Sequence, residues 1–214
     1  MNIKQKIRNS TLFGIVLSFY KRYFSCRRSL FGYIHPSAFV RYPIIIKGIN
    51  NVFMYENTSI LSGATILTTK ARFIMKKYSG AAEGLCVVTG SHVSIPGKWL
   101  REITDDMKPK DADKDVIIEE DVWIAANVTI LSGVTVGRGS AIGAGSVVRK
   151  NVPPYSIVIG NPAKVVGFKF TPEEIIEHEK ELYLECERLP MEKLESNYNK
   201  YFICRYKEIK EFNK

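Results

Sequence analysis

"IEEDVWIAANVTILSGVTVGRGSAIGAGSVVRKNVP", residues 118–153, divides into six hexads without a remainder. The first place of each is Ile118, Ile124, Ile130, Val136, Ile142 or Val148, always Ile or Val. The fourth place is Asp121, Asn127, Gly133, Gly139, Gly145 or Asn151. Those residue types accept the tight, left-handed backbone of a turn, which strains a β-branched side chain. Each hexad therefore reads as a short strand followed by a turn, with its first residue pointing inward. A fixed period of this kind marks a solenoid whose coils cover one another. Three hexads close a triangular coil of 18 residues. A sandwich of ordinary strands has period two and does not predict a strict six.

The beat extends upstream. Ile34, Val40 and Ile46 are six apart, and after a two-residue slip at "KGINNV" Met54, Ile60 and Ile66 resume it, with Asn57 and Gly63 in the turn place. Between 68 and 90 the pattern loosens, although "RFIMKKY" and "GLCVVTG" still read as strands. It fails from 93 to 115, "VSIPGKWLREITDDMKPKDADKD". A polar insert of 23 residues must leave the triangle as an exposed loop, and long loops usually carry function.

His92 stands at the root of that loop, in "VVTGSH". An imidazole titrates near neutrality and suits a general base, whereas an isolated loop histidine is otherwise merely polar. The chain has two other histidines. His35 precedes Pro36 in the first irregular coil, and His178 lies among glutamates near the C-terminus.

Pro153-Pro154 and "GNPAK" (160–164) end the coils. From Thr171 the sequence predicts a helix: Thr as N-cap, Pro172 at the first helical position, then Glu173 and Glu174. That helix runs to Pro190 with Ile175, Ile176, Leu182 and Leu184 toward the coils. Residues 191–214 read as a second, highly charged helix forming a solvated cap. The chain thus divides into an N-terminal helical segment (1–33), a β-helix domain (34–168) and a C-terminal helical extension (169–214).

In the N-terminal segment the apolar run "TLFGIVLSFY" (11–20) is about half of what spans a bilayer. Lys4, Lys6 and Arg8 precede it, and "KRYFSCRRSL" follows without a small-x-small cleavage site. This predicts an amphipathic helix, packed on the fold or resting on the inner membrane face, rather than a signal peptide. Cys26, Cys86, Cys186 and Cys204 show no paired spacing and read as reduced cytoplasmic thiols, not disulfides or a zinc site. The net charge of +9 favours a polyanionic partner. The basic residues read as scattered and no nucleic-acid-binding motif is present, which argues against nucleic acid.

With hexads, loop and His92 in view, the chain resembles the hexapeptide-repeat acyltransferases, in particular the galactoside/maltose and xenobiotic O-acetyltransferases. "DVIIEEDVWIAANVTILSGVTVGRGSAIGAGSVVRKNVPPYSIVIGNPAKVV" (115–166) is similar to that family's C-terminal coils, with Ala125 where V-W-I-G is common, and "VVTGSH" is similar to the strand end carrying its catalytic histidine. The resemblance implies a left-handed parallel β-helix, a handedness no spacing establishes. It implies acetyl-CoA as cosubstrate, no metal, and His92 as the base that takes a proton from an acceptor hydroxyl. A backbone N–H would hold the oxyanion.

It further implies that Ala125, Ala126, Gly143 and Ala144 line the cofactor groove. Small residues there serve coil closure equally well. Lys150 in "VRKN" and Lys164 in "NPAK" match basic residues near the phosphates. Trp123 matches a tryptophan beside the active site, and Trp99 in the loop either stacks on a sugar ring or anchors the loop. The same resemblance implies a homotrimer with sites between subunits, and a sugar or polysaccharide-precursor hydroxyl as acceptor. The alternatives are an amino-sugar nitrogen or a catalytically silent scaffold. Glu83 is a candidate to orient the imidazole. An acyl-cysteine route through Cys86 lacks a positioned triad. A γ-type carbonic anhydrase shares the fold but needs three histidines on neighbouring coils, which this chain does not offer.

Overall fold

The computed structural model describes residues 10–23 and 26–212. Lys4, Lys6 and Arg8 lie outside the described residues. From Tyr33 to Ile159 the chain winds into a prism with three faces of parallel strands. Face A stacks β1 (Tyr33–Ile34), β4 (Val52–Met54), β7 (Phe73–Met75), β10 (Val116–Ile118) and β13 (Thr135–Val136). Face B stacks β2 (Phe39–Val40), β5 (Ser59–Ile60), β8 (Gly80–Ala81), β11 (Trp123–Ile124), β14 (Ala141–Ile142) and β16 (Ser156–Ile159). Face C stacks β3 (Ile45–Lys47), β6 (Thr65–Leu67), β9 (Cys86–Val88), β12 (Thr129–Ile130) and β15 (Val147–Val148).

The register follows the hexads. Ile118 pairs with Val136, Ile124 with Ile142 and Ile130 with Val148, each with its equivalent one coil later. All six are buried, so the core is three columns of aliphatic side chains, one behind each face. Asp121, Asn127, Gly133, Gly139 and Gly145 hold positive φ at the corners. Asn151 departs from the pattern. It is absent from the positive-φ residues, and its side-chain oxygen accepts from the Thr135 N–H at 2.9 Å instead.

The loosening expected between 68 and 90 is confined to 68–72, where Ile66 and Met75 are nine residues apart. Met75, Ala81 and Val87 continue the three columns, and Tyr78 (φ 62°) and Gly84 (φ 76°) take the corners. Ala81 is small where the repeat has Ile or Val, and Tyr78 is bulky where it has Gly, Asn or Asp, so composition hides a geometry the backbone keeps.

The C-terminal extension also differs from expectation. α1 (Thr11–Tyr23) precedes the coils; after them β17 (Lys164–Phe168) turns back antiparallel on β16 and leads into α2 (Pro172–Leu182). Thr171 caps α2 with a complete capping box. The helix stops at Leu182, well before Pro190, and Leu182 and Leu184 are 57% and 70% exposed rather than turned to the coils. Tyr183 goes inward in their place, with the Arg138 guanidinium over its ring at 4.0 Å. Burial pushes the Tyr183 phenol up to about 12 against the pull of that cation.

The second helix is broken by Phe202 into α3 (Met191–Tyr201) and α4 (Tyr206–Phe212), and it is more than a solvated cap, since Leu194 and Ile209 are buried. The extension docks through an apolar cluster of Tyr155, Ile175 and Leu194 and through a buried carboxylate. Glu179 is fully buried; the Tyr155 hydroxyl donates to it at 2.9 Å, the Leu189 N–H at 2.6 Å and Arg138 at 3.3 Å. Burial first, and then Glu179, push the Tyr155 phenol far up. Gly139 is required beside it, because a Cβ there would stand 2.4 Å from the Tyr155 ring.

Candidate active site

The site begins where face C ends in its third coil. Val87 is pinned in the core, and Thr89 after it is buried, its hydroxyl donating to the Ala71 carbonyl at 3.1 Å. Ser132 of the next coil donates to the Thr89 carbonyl at 2.8 Å. The Ser91 N–H donates to Asp113 on the returning arm of the loop, at 2.8 Å. The backbone is therefore held on both sides of Gly90. His92 follows, exposed, and among the described residues its imidazole has no hydrogen-bond partner. A held backbone carrying a free imidazole suits a base that must meet an incoming hydroxyl.

Neither other histidine is placed in this way. His35 Nδ1 lies 2.8 Å from the Ser37 hydroxyl, and His178 packs edge-on against the Tyr155 ring. Glu83 sits at the corner between faces B and C, and no hydrogen bond joins it to His92. Cys86 is half-buried on the outside of β9, in register with Thr65 and Thr129 and away from any base. Among the described residues no cluster of three or more His, Cys, Asp or Glu is placed to hold a metal.

The loop carries two single turns, Leu100–Glu102 and Asp105–Met107. Asp105 joins Lys70 at 3.5 Å and Lys108 at 3.1 Å, and Asp115 joins Arg72 at 2.6 Å. These pairs tether the loop. Trp99 is 79% exposed, and its backbone N–H donates to the Glu102 carboxylate at 3.0 Å.

Trp123 lies on face B, half exposed, with its ring over Gly80, where a Cβ would come within 3.2 Å. It lines a cleft of about 250 Å³ with Tyr78 and Lys169. His92 leaves from the edge between faces C and A. Within one chain the two residues thus occupy different sides of the prism.

Ala125 and Ala126 form the corner between faces B and C, and Gly143 and Ala144 the same corner one coil on; the Gly145 N–H donates to the Ala126 carbonyl at 2.9 Å. Gly143 answers to packing, since a Cβ would stand 2.3 Å from Ile159 Cγ2. Ala144 is exposed and free to approach a ligand.

Lys150 and Lys164 are brought together, lining one cleft of about 390 Å³ with Arg149, Tyr201, Arg205 and Glu208. Lys150 has no carboxylate partner among the described residues, whereas Lys164 and Arg205 both pair with Glu208, at 3.4 and 3.1 Å. Arg205 beside it holds the Glu208 carboxyl below its usual range. Arg149 and Arg205 line the same cleft and are named by no sequence reading. Arg149 is visible in "VRKN", but Arg205 lies on the extension read as a cap. This cleft follows β15, on the edge from which His92 departs two coils earlier, so the two features stand about 10 Å apart along the prism. A cleft with unpaired cations fits a phosphate-bearing ligand.

Residues 115–150 match the family model described as bacterial transferase hexapeptide (six repeats). No curated protein sequence matches the chain. A hexapeptide-repeat acetyltransferase of Vibrio cholerae O1 biovar eltor, complexed with acetyl coenzyme A, is similar over 78% of this chain and 84% of its own, with 26% identity and a TM-score of 0.58. A maltose O-acetyltransferase from Clostridium difficile 630 shares the fold over 76% of this chain and 87% of its own, at 22% identity and a TM-score of 0.57. A galactoside acetyltransferase in complex with coenzyme A shares it over 89% and 99%, at 17% and 0.52. Repeat and coil together are similar to those of the hexapeptide-repeat transferases. With its likeness to the Vibrio enzyme, the chain is an acyltransferase built on hexapeptide repeats.

Proposed function

We propose that the chain transfers an acetyl group from acetyl-CoA to a hydroxyl of a sugar or polysaccharide precursor, with His92 as general base. The observation that carries this reading is the free imidazole of His92 on a backbone pinned by Thr89, Ser132 and Asp113. The imidazole takes the hydroxyl proton as that oxygen bonds to the acetyl carbon. The thioester C–S bond then breaks, and the sulfur leaves with a proton as the free thiol of CoA. Lys150, with Arg149 beside it, would hold phosphate, and the exposed corner at Ala144 gives the thin pantetheine arm room. Trp99, open on the loop, offers a face on which a sugar ring stacks.

The site is completed by a second copy. His92 and Trp123 lie on different sides of one prism, so a groove that uses both needs a neighbouring chain. Three prisms in a closed head-to-tail ring supply three such grooves. The free thiols Cys26, Cys86, Cys186 and Cys204 support a cytoplasmic setting.

The test is a screen of sugars, amino sugars and oligosaccharides with acetyl-CoA, read by mass spectrometry. An acetyl gain that hydroxylamine reverses marks an ester; a resistant gain marks the amide of an amino sugar. No CoA release with any acceptor in the screen would leave the scaffold reading, and His92→Ala chains rescued by Ala144→Trp chains in mixed oligomers would support the shared groove.

A further inference from the structure

The net charge of +9 has a location, which corrects the scattered distribution expected from the sequence. The first 55 residues hold nine Lys and Arg and no Asp or Glu, and residues 56–214 are balanced. Seven of the nine fall between Lys4 and Arg28, three before α1, Lys21 and Arg22 at its C-terminal end, and two after it. From Ser29 to the C-terminus 24 Lys and Arg face 22 Asp and Glu, so most of the excess sits on one appendage.

That appendage is also apolar. None of the residues of α1 whose burial is described is buried, and Leu12, Ile15, Val16 and Phe19 are each more than half exposed. These four residues stand at i, i+3, i+4 and i+7, so they share one exposed apolar face of the helix. The base of the coil does not need it. Cys26 is buried in the core and Phe31 packs against it, while Arg28 ties the segment down by donating to the Ala38 carbonyl at 2.9 Å and the His35 carbonyl at 2.6 Å. Only residues 24–27 separate α1 from that anchor.

An exposed apolar helix between basic clusters, held at the base of a weakly charged body, is built to meet a negatively charged interface. We infer that α1 docks this protein on a membrane surface rich in anionic lipids. At about 1.5 Å per residue α1 is about 20 Å long, short of the roughly 30 Å of a hydrocarbon core. Among the described residues no helix is long and apolar enough to cross a membrane. The helix therefore lies in the interface, its apolar side chains among the acyl chains and its flanks against the headgroups. Bundling of α1 with its own copies would gather like-charged flanks, whereas anionic headgroups neutralise them. Nucleic acid would answer the charge but not Leu12, Ile15 and Val16.

The experiment is cosedimentation of the full chain with vesicles of phosphatidylglycerol and phosphatidylcholine in equal parts, or of phosphatidylcholine alone, at low and high salt. The wild-type protein is expected to sediment with the mixed vesicles and not with the neutral ones, and to lose affinity on the order of 10-fold in high salt. Ile15→Asp with Val16→Asp, and separately Lys21→Glu with Arg22→Glu, each weaken binding by about 10-fold or more without moving the thermal midpoint. All four positions lie on α1 and none belongs to the candidate active site, so this outcome does not depend on the acceptor or on any turnover. Absence of wild-type binding to mixed vesicles overturns the inference. So does equal binding by all variants, or a fall in oligomeric state of the Asp variant in a protein that ignores vesicles.

Discussion

The backbone N–H of Lys114 donates to the carbonyl of Thr89 at 3.1 Å, so the long loop leaves and re-enters the coil at one point. Ser132 clasps both, accepting from the Lys114 N–H at 3.1 Å and donating to the Thr89 carbonyl at 2.8 Å. Above this neck β10 pairs with β7 as if nothing intervened, Val116 opposite Phe73. The insert is therefore separable from the stack. Replacing residues 94–111 by a short Gly-Ser linker should change unfolding free energy by less than about 1 kcal/mol, because closure entropy varies slowly with loop length. Acetyl transfer should collapse in the same protein. Urea melts and initial rates check the pair of outcomes, and a lost cooperative melt would show that the loop supports the coil.

His92→Ala removes a side chain that no hydrogen bond holds among the described residues, so the fold should be indifferent to it. Turnover should fall by ~10²–10⁴-fold, the usual cost of a missing general base, with acetyl-CoA affinity unchanged. Steady-state rates and calorimetric titration with acetyl-CoA read the two quantities separately. A variant keeping more than about a tenth of wild-type turnover removes His92 from the role.

Lys150 and Lys164 should not behave alike. Lys150→Glu turns an unpaired cation into an anion and should raise the KM for acetyl-CoA several-fold, less so at high salt. Lys164 is already engaged by Glu208 (3.4 Å), so Lys164→Ala should have the smaller effect. Glu208→Gln should lower that KM by freeing Lys164 and Arg205. Equal KM values in all three variants would place the phosphates elsewhere.

Glu179 is where the C-terminal extension is bolted on. Glu179→Ala strands the Tyr155 hydroxyl, the Leu189 N–H and one bond of Arg138, and should cost about 3 kcal/mol. Tyr155→Phe removes one of those bonds and should cost about 1 kcal/mol. Denaturant unfolding gives the magnitudes. Hydrogen exchange should show α2 and α3 opening before the coils in the Ala variant.

The neck of the loop should respond to acid through Asp115. Burial alone would raise its carboxyl pKa, but the Arg72 guanidinium and N–H more than reverse this and hold it below the ordinary value. A carboxyl lowered in the folded state contributes stability that is present above its unfolded pKa, about 3.9, and lost as pH falls through the folded value. Exchange of the Arg72 amide, which donates to Asp115 at 2.7 Å, should therefore accelerate relative to its intrinsic rate only below about pH 4. Asp115→Asn should flatten that dependence.

The coils from 118 to 153 were legible because their chemistry and geometry coincide: Ile or Val inward, Gly, Asn or Asp at the corner. From 68 to 90 the two part company, since Ala81 and Tyr78 do the same geometric work with unexpected side chains. Leu182 and Leu184 misled for a different reason. Helical spacing assigns a face only while the helix lasts, and α2 stops at Leu182 so that Tyr183 can enter beside Arg138. His92 was visible from its place at the end of a strand and the start of a loop. Arg205 was not, because its relation to Lys164 arises only when α4 folds back on the last coil.

The antiparallel return of β17 on β16 has a consequence for growth. A stack of parallel coils has no intrinsic end, and its last strand is a template on which another chain can polymerise. By laying Lys164–Phe168 backwards along that strand, the chain spends the exposed edge of face B on itself, in a direction a further coil cannot extend. A molecule whose design is repetition thereby carries its own terminator, and end-to-end filaments are denied their seed.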